Sequence, residues 1–229
     1  MKSKLNSGKF PIANPFKWLV FSKGWQRHID FIFACRLAAL AEYMKRKINI
    51  SSGYRSTEEQ IRSYKKTGGK LVNGIWTGGN GYAAKPGSSW HEYRLAIDAS
   101  DAWLKALEKE FATASQVTLM RFGLFKPLTK GNGTSVREDW HIQPIETVGI
   151  KDKKSLEPKL INKLQRGDMG FEVIELQWRL NSYGYNLTAN GNFEIITDEI
   201  VRDFQRSKGL VDDGIVGQST WGKLYEAQL

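Results

Sequence analysis

Two histidines, an aspartate and a glutamate stand at spacings that could do hydrolytic chemistry. His91 and Asp98 lie seven positions apart in Ser89-Trp90-His91-Glu92-Tyr93-Arg94-Leu95-Ala96-Ile97-Asp98, and Glu138 and His141 lie three apart in Glu138-Asp139-Trp140-His141. Two imidazoles and a carboxylate make a three-ligand set for Zn²⁺. Catalytic zinc sites keep a fourth position for water, whereas structural sites close with four ligands, commonly cysteines. The chain has one Cys and three His, so a closed thiolate site is nearly excluded. Glu138, three positions before a ligand, is placed to take a proton from that water. The arrangement differs from a helical His-Glu-x-x-His, where both histidines share one helix face. The residue types predict a zinc hydrolase, with His28 a structural residue outside the set.

Certain elements must bring these residues together. Apolar residues at helical spacing (Phe31, Ala34, Cys35, Ala38, Ala41) predict an amphipathic helix from Asp30 to Lys47. Ile48-Asn49-Ile50 reads as a short strand running into Ser51-Ser52-Gly53-Tyr54-Arg55-Ser56. Ser56 or Thr57, followed by Glu58-Glu59-Gln60, caps a helix running to about Lys66. Residues 68–89 hold seven glycines and read as one long loop, a kind of segment that is often functional. Leu95 to Ala99 suits a strand carrying Asp98 near its end, Asp101 to Phe111 a helix, and Trp140 to Gln143 a strand closed by Pro144. Non-alternating helices and short strands predict an α+β domain over residues 1–150. Residues 151–160, with Pro158 and several lysines, read as a linker. The remaining residues 161–229 carry a repeat: 187–197 recurs 23 positions later as 210–220, each copy a Gly-bearing turn feeding a helix. With amphipathic stretches around Val173–Leu180, Ile200–Gln205 and Thr220–Ala227, this predicts a small three-helix, all-α domain.

The first domain resembles the LAS-type zinc peptidases, which include D-Ala-D-Ala carboxypeptidases and dipeptidases and L-Ala-D-Glu endopeptidases. Their Ser-x-His-x-x-Gly-x-Ala-x-Asp and Glu-x-Trp-His motifs match Ser89 to Asp98 and Glu138 to His141, and Ser52-Gly53-Tyr54-Arg55-Ser56 with Gln60 resembles their upstream element. The resemblance implies that His91, Asp98 and His141 hold zinc, that Glu138 is the general base, and that Arg55 holds the substrate's carbonyl oxygen or carboxylate. Arg94 stands where the family pattern has Gly, so its side chain could project near the cleft. The second domain resembles the three-helix peptidoglycan-binding domain of wall hydrolases, through Leu164-Gln165-Arg166-Gly167, Leu176-Gln177, Phe204-Gln205, Asp213-Gly214-Ile215-Val216-Gly217 and Thr220-Trp221. Together the two resemble a phage endolysin. That resemblance implies synthesis in a host cytoplasm without a signal peptide, holin-assisted release, and action on bacterial peptidoglycan at L-Ala-D-Glu or, alternatively, as a D-Ala-D-Ala carboxypeptidase.

Charge and composition bound the alternatives. Hydrophobic residues make up 41% and charged residues 25% of 229, ordinary for a globular protein. Residues 160–229 hold seven Lys/Arg against ten Asp/Glu, and residues 1–159 hold 27 against 14, so the net +10 sits on the first domain. A basic surface favours polyanions, yet the chain has no nucleic-acid-binding motif or dense Arg/Lys run, and specific nucleic-acid binding is not expected. The apolar run around Phe16–Phe21 is broken by Lys17 and too short for a signal core or a membrane span. Cys35, alone in an apolar run, reads as a buried small hydrophobe. Trp90, Tyr93 and Trp140 can line the site or pack, and Tyr54 reads as structural. A wall-binding protein on a peptidase-like scaffold is the non-enzymatic alternative, and Glu138 argues against it, because a structural zinc site has no use for a base beside its ligand.

Overall fold

The computed structural model describes residues 2–6, 8–24, 28–100, 102–103, 105, 107, 115–127, 138, 140–158 and 163–226. The chain divides into a larger unit over Ser3–Pro158 and a smaller one made chiefly of Lys159–Leu229. Among the described residues, no helix is long and apolar enough to cross a membrane.

The larger unit is mixed α and β. After α1 (Pro15–Trp18) and β1 (Leu19–Phe21), α2 (Phe31–Tyr43) starts at Asp30, whose Oδ1 accepts the Phe33 N–H at 3.0 Å. The spacing predicts one apolar face, but all of Phe31–Ala41 is buried, and the helix ends at Tyr43 rather than Lys47. Its polar side is covered by the N-terminal segment, where the Ala13 N–H donates to the Cys35 carbonyl at 3.0 Å. Burying Arg36 inside such a helix requires its charge to be paired. Its Nη1 and Nη2 donate to the Glu146 carboxylate at 2.7 and 2.6 Å, and to the carbonyls of Gly123 and Asn6 at 3.3 and 2.9 Å. Its guanidinium also lies 4.5 Å from the Phe10 ring centroid.

β2 (Ile48–Ser52) leads through Arg55 into α3 (Thr57–Lys66), whose N-cap Ser56 and Glu59 form a reciprocal capping box. The stretch 68–89 is more ordered than its glycines suggest. β3 (Gly69–Val72) and β4 (Ile75–Gly78) form an antiparallel hairpin turning at Asn73-Gly74, both at positive φ (50° and 75°). That is the two-residue turn whose twist matches a hairpin, and Asn-Gly is its usual sequence. β5 (Ile97–Ala99), α4 (Ser115–Arg121), β6 (Leu124–Phe125) and β7 (His141–Pro144) follow. The five-stranded sheet runs β1-β2-β5-β7-β6, parallel between β1 and β2 and antiparallel elsewhere. The helix expected over 101–111 falls largely outside the described residues. The stretch 151–160 begins on the larger unit: Lys153–Leu156 forms a 3-10 turn, and Lys4 Nζ donates to the Ser155 carbonyl at 2.7 Å.

The smaller unit packs α5 (Phe171–Ser182), α6 (Ile195–Ser207) and α7 (Gln218–Tyr225) around Val173, Leu176, Leu180, Phe193, Val201, Phe204, Val216, Trp221 and Leu224. Its repeat is built on two buried glutamines. Gln177 Nε2 reaches Asn190 Oδ1, the Asn192 carbonyl and Thr197 Oγ1 at 3.1, 3.0 and 3.3 Å, while its Oε1 accepts from Gly191 N–H at 3.0 Å. Gln205 makes the same four contacts to Asp213, Ile215, Thr220 and Gly214 at 3.1, 3.0, 3.1 and 3.0 Å. The turn residues of the two sets are offset by 23, the period in the sequence.

Candidate metal centre

Three neighbouring segments converge at one end of the sheet. Asp98 on β5 lies directly opposite His141 on β7 and Ser52 on β2. Opposed residues on adjacent strands project to the same face, and the Asp98 and His141 side chains meet there, with Oδ1 and Nδ1 3.0 Å apart. The β2–β5 register slips between Ile50 and Ser52, a bulge of the sort that re-aims side chains beside active sites.

His91 comes from a tight turn, Ser89–Leu95, closed by backbone bonds from Glu92 to Ser89, Tyr93 to Trp90 and Leu95 to Trp90 at 3.1, 3.2 and 3.0 Å. Its Nδ1 lies 2.7 Å from the Gly53 carbonyl. A carbonyl only accepts, so Nδ1 carries a proton and Nε2 is the nitrogen turned to the donor set. That Nε2 lies 3.5 Å from Asp98 Oδ1. One ligand atom each from His91, Asp98 and His141 falls within 4.8 Å of the others. Both histidines are buried, at 3% and 6% exposure. Two nitrogens and a carboxylate oxygen so close and so dry fit a borderline ion such as zinc, and the Gly53 bond gives His91 the outer-shell partner that metal-binding histidines usually have.

Glu138 stands beside the set, its Oε2 3.9 Å from His141 Nδ1. Burial pushes its carboxyl above the ordinary range, and the Asp98 charge adds to this against the pull of His141 and Arg55. Asp98 goes the other way. Burial would raise it, but the His91 and His141 imidazoles outweigh that and hold it far below the usual carboxylate range. Two carboxyls pushed apart in this way suit different tasks, one a permanent anion and one a proton acceptor.

Arg55 closes another side. Its Nη1 donates to Gln60 Oε1 at 2.9 Å and its Nη2 to Ser52 Oγ at 3.0 Å, leaving Nη2 4.0 Å from Asp98 Oδ2. The five residues singled out by sequence thus meet in one cleft of about 570 Å³, whose lining also includes Tyr82, Ala84, Trp90, Trp140 and Gln143. Trp140 is 41% exposed, on the cleft rather than in the core. Trp90 lines the cleft and lies under Lys153, whose Nζ is 3.8 Å from its centroid.

Arg94 takes a different course from a side chain aimed at the cleft. It holds the left-handed backbone that glycine favours, at φ 66°, and its guanidinium stacks 4.1 Å from the Tyr54 centroid while Nη1 donates to the His28 carbonyl at 2.6 Å. Glu92 and Gln143 were missed by the sequence reading. Glu92 accepts the Gly87 and Ser89 N–H groups at 3.0 and 3.1 Å, pinning the loop before His91, and burial raises its carboxyl. Gln143 sits 3.1 Å from His141 Nε2. Its signal was the period of a strand, which puts positions 141 and 143 on one face.

Two family models match the chain, one in each unit. Residues 33–145 match the D-alanyl-D-alanine carboxypeptidase family, and residues 170–224 match a peptidoglycan binding domain. The chain is 38% identical over 68 residues to the zinc D-Ala-D-Ala carboxypeptidase of Streptomyces albus G, a match covering 28% of this chain and 27% of the relative. It is 43% identical over 65 residues to the spore cortex-lytic enzyme of Oceanobacillus iheyensis, covering 28% and 24%. The crystal structure of the Burkholderia AP3 phage endolysin shares 38% identity over 28% of this chain and 25% of its own, with a TM-score of 0.28. The chain spans about a quarter of the length of the curated relatives it matches. It joins a domain of the D-alanyl-D-alanine carboxypeptidase family to a peptidoglycan binding domain.

Proposed function

We propose that this protein is a zinc-dependent peptidoglycan hydrolase that cuts a peptide bond of the wall's stem peptide while its smaller domain holds it on the wall. The observation that carries the reading is the convergence of His91, Asp98 and His141 within 4.8 Å, with Glu138 beside them and Arg55 across from them in one cleft. Zinc held by the three ligands would supply Lewis-acid chemistry, polarising the scissile carbonyl and acidifying the attacking water. Glu138 takes the proton of that water and returns it to the leaving amine, a role suited to a carboxyl that burial has made more basic. Arg55, its fork fixed by Ser52 and Gln60, donates to the carbonyl oxygen as charge gathers there.

Within this class, cleavage between L-Ala and D-Glu is the first reading. It is supported by the pairing of a peptidase with a wall-binding domain; Arg55, beside the ligands, serves either bond, because its fork takes a carbonyl oxygen or a carboxylate. Removal of a terminal D-Ala is the second, favoured by the matched family's description and the Streptomyces albus G relative. Delivery in the manner of an endolysin, through a holin-made hole, belongs to the same proposal, and lysis dependent on a co-expressed holin tests it. Mass spectrometry of fragments from purified peptidoglycan, with and without a chelator, separates the two bonds. New fragments beginning at D-Glu and lost on chelation support the first reading; release of D-Ala alone supports the second. No release from several wall types contradicts both.

A further inference from the structure

We infer that Gln143, backed by Thr147, is a positioning residue whose amide accepts the His141 Nε2 proton when Nδ1 faces a metal. The inference rests on the proposed zinc site. His141 presents Nδ1 to Asp98 at 3.0 Å, so Nδ1 is the nitrogen that faces the donor set. An imidazole that gives its Nδ1 lone pair to a cation must carry its proton on Nε2, and a buried N–H needs an acceptor. The group facing Nε2 is the Gln143 side-chain amide, 3.1 Å away and 4% exposed.

An amide has a donor end and an acceptor end of nearly the same shape, and its surroundings decide which end faces which neighbour. With the His141 proton on Nδ1 and shared with Asp98, Gln143 Nε2 donates to His141 Nε2, and Gln143 Oε1 lies 3.3 Å from Thr147 Oγ1. With a cation on Nδ1, a half-turn of the amide satisfies the opposite pattern. Oε1 then accepts the His141 Nε2–H, and the amide NH₂ donates to Thr147 Oγ1. The Thr147 proton is already directed at the Pro144 carbonyl, at 2.8 Å the shorter of its two contacts, so its oxygen is open to accept. Thr147 is itself buried, at 5% exposure. The relay runs from a backbone carbonyl through Thr147 and Gln143 to His141. A leucine at 143 can do neither job, and a glutamate can do only the accepting one that the metal-bound ring requires.

The test is zinc affinity of the full-length protein by competition with a chelating dye, together with ¹⁵N shifts of His141 in the zinc-loaded state. Gln143→Leu is expected to weaken zinc binding about 10- to 100-fold. Gln143→Glu should stay within about threefold of the parent, and Thr147→Val should fall in between; the parent should show a protonated Nε2 on His141. Should Gln143→Leu fail to fold, the Glu and Val variants decide by their order. Gln143→Glu as weak as or weaker than Thr147→Val, or Gln143→Leu binding like the parent, overturns the inference while leaving the zinc site standing. A parent chain that binds no zinc overturns both.

Discussion

At the scale of single residues, the candidate ligand set was legible because each member belongs to a short motif whose chemistry needs that side chain. His91, Asp98, His141 and Glu138 were nameable from spacing and type, and Arg55 from the family resemblance; the structure gathers all five in one cleft. Residues whose role depends on a distant partner were not legible. Arg94 departs from glycine at a left-handed position, at φ 66°. Nothing in its neighbours reveals that Tyr54 and the His28 carbonyl will hold it. A left-handed non-glycine residue costs about 1–2 kcal/mol, and the hydrogen bond and the cation–π contact return a similar amount. Arg94→Gly should therefore change stability by less than about 1 kcal/mol and leave kcat/KM on wall substrate within about threefold. Chemical denaturation and a turbidity assay check this, and a tenfold loss of activity would place Arg94 at the reaction instead.

At the scale of elements, periodicity found most of the helices and strands but misjudged how two stretches are covered. The apolar spacing of α2 predicts one buried face, yet Phe31–Ala41 is buried all round, because segments remote in sequence close over Arg36. Residues 68–89 read as loop in the sequence yet hold the hairpin β3–β4 that Asn73-Gly74 announces; seven glycines mask its short flanks. The Arg36–Glu146 pair has a pH signature. Burial would raise the Glu146 carboxyl, but the Arg36 hydrogen bonds and charge outweigh it, so its folded pKa lies below the ordinary value of 4.5. The pair's stabilisation is then complete above about pH 4.5 and lost as pH falls through the lower, folded value. Glu146→Gln should cost about 2 kcal/mol at pH 7 by urea unfolding, and the gap to the parent should close in acid. A gap independent of pH would contradict the assignment. In the smaller unit the 23-residue repeat was readable, and its physical cause is the pair of buried amides. Gln177→Leu and Gln205→Leu each strand buried turn groups, and each should cost about 2–3 kcal/mol in that unit's calorimetric transition. A neutral effect of either would show that its four contacts are not what holds the turn.

At the scale of the whole molecule, the two domains differ in charge, and the proposed function divides its labour between them. The domain with 27 Lys/Arg against 14 Asp/Glu carries the cleft, and the domain with seven against ten carries the wall-binding match. Tethering a modest catalyst to its polymer raises local substrate concentration without new contacts at the reacting bond. A chain cut after Pro158 should cleave a soluble stem peptide within about threefold of the full chain but intact wall on the order of 10²-fold more slowly. Equal rates on intact wall would remove the anchoring role. The proposed function turns on a zinc site whose ligands are His91, Asp98 and His141 and which drives hydrolysis through Glu138. It is tested most directly by measuring zinc content and wall hydrolysis side by side in the parent and in Glu138→Gln. One zinc per chain is expected in both, with turnover in the variant down about 10²- to 10⁴-fold. Near-normal turnover in a variant that still holds its zinc would contradict it.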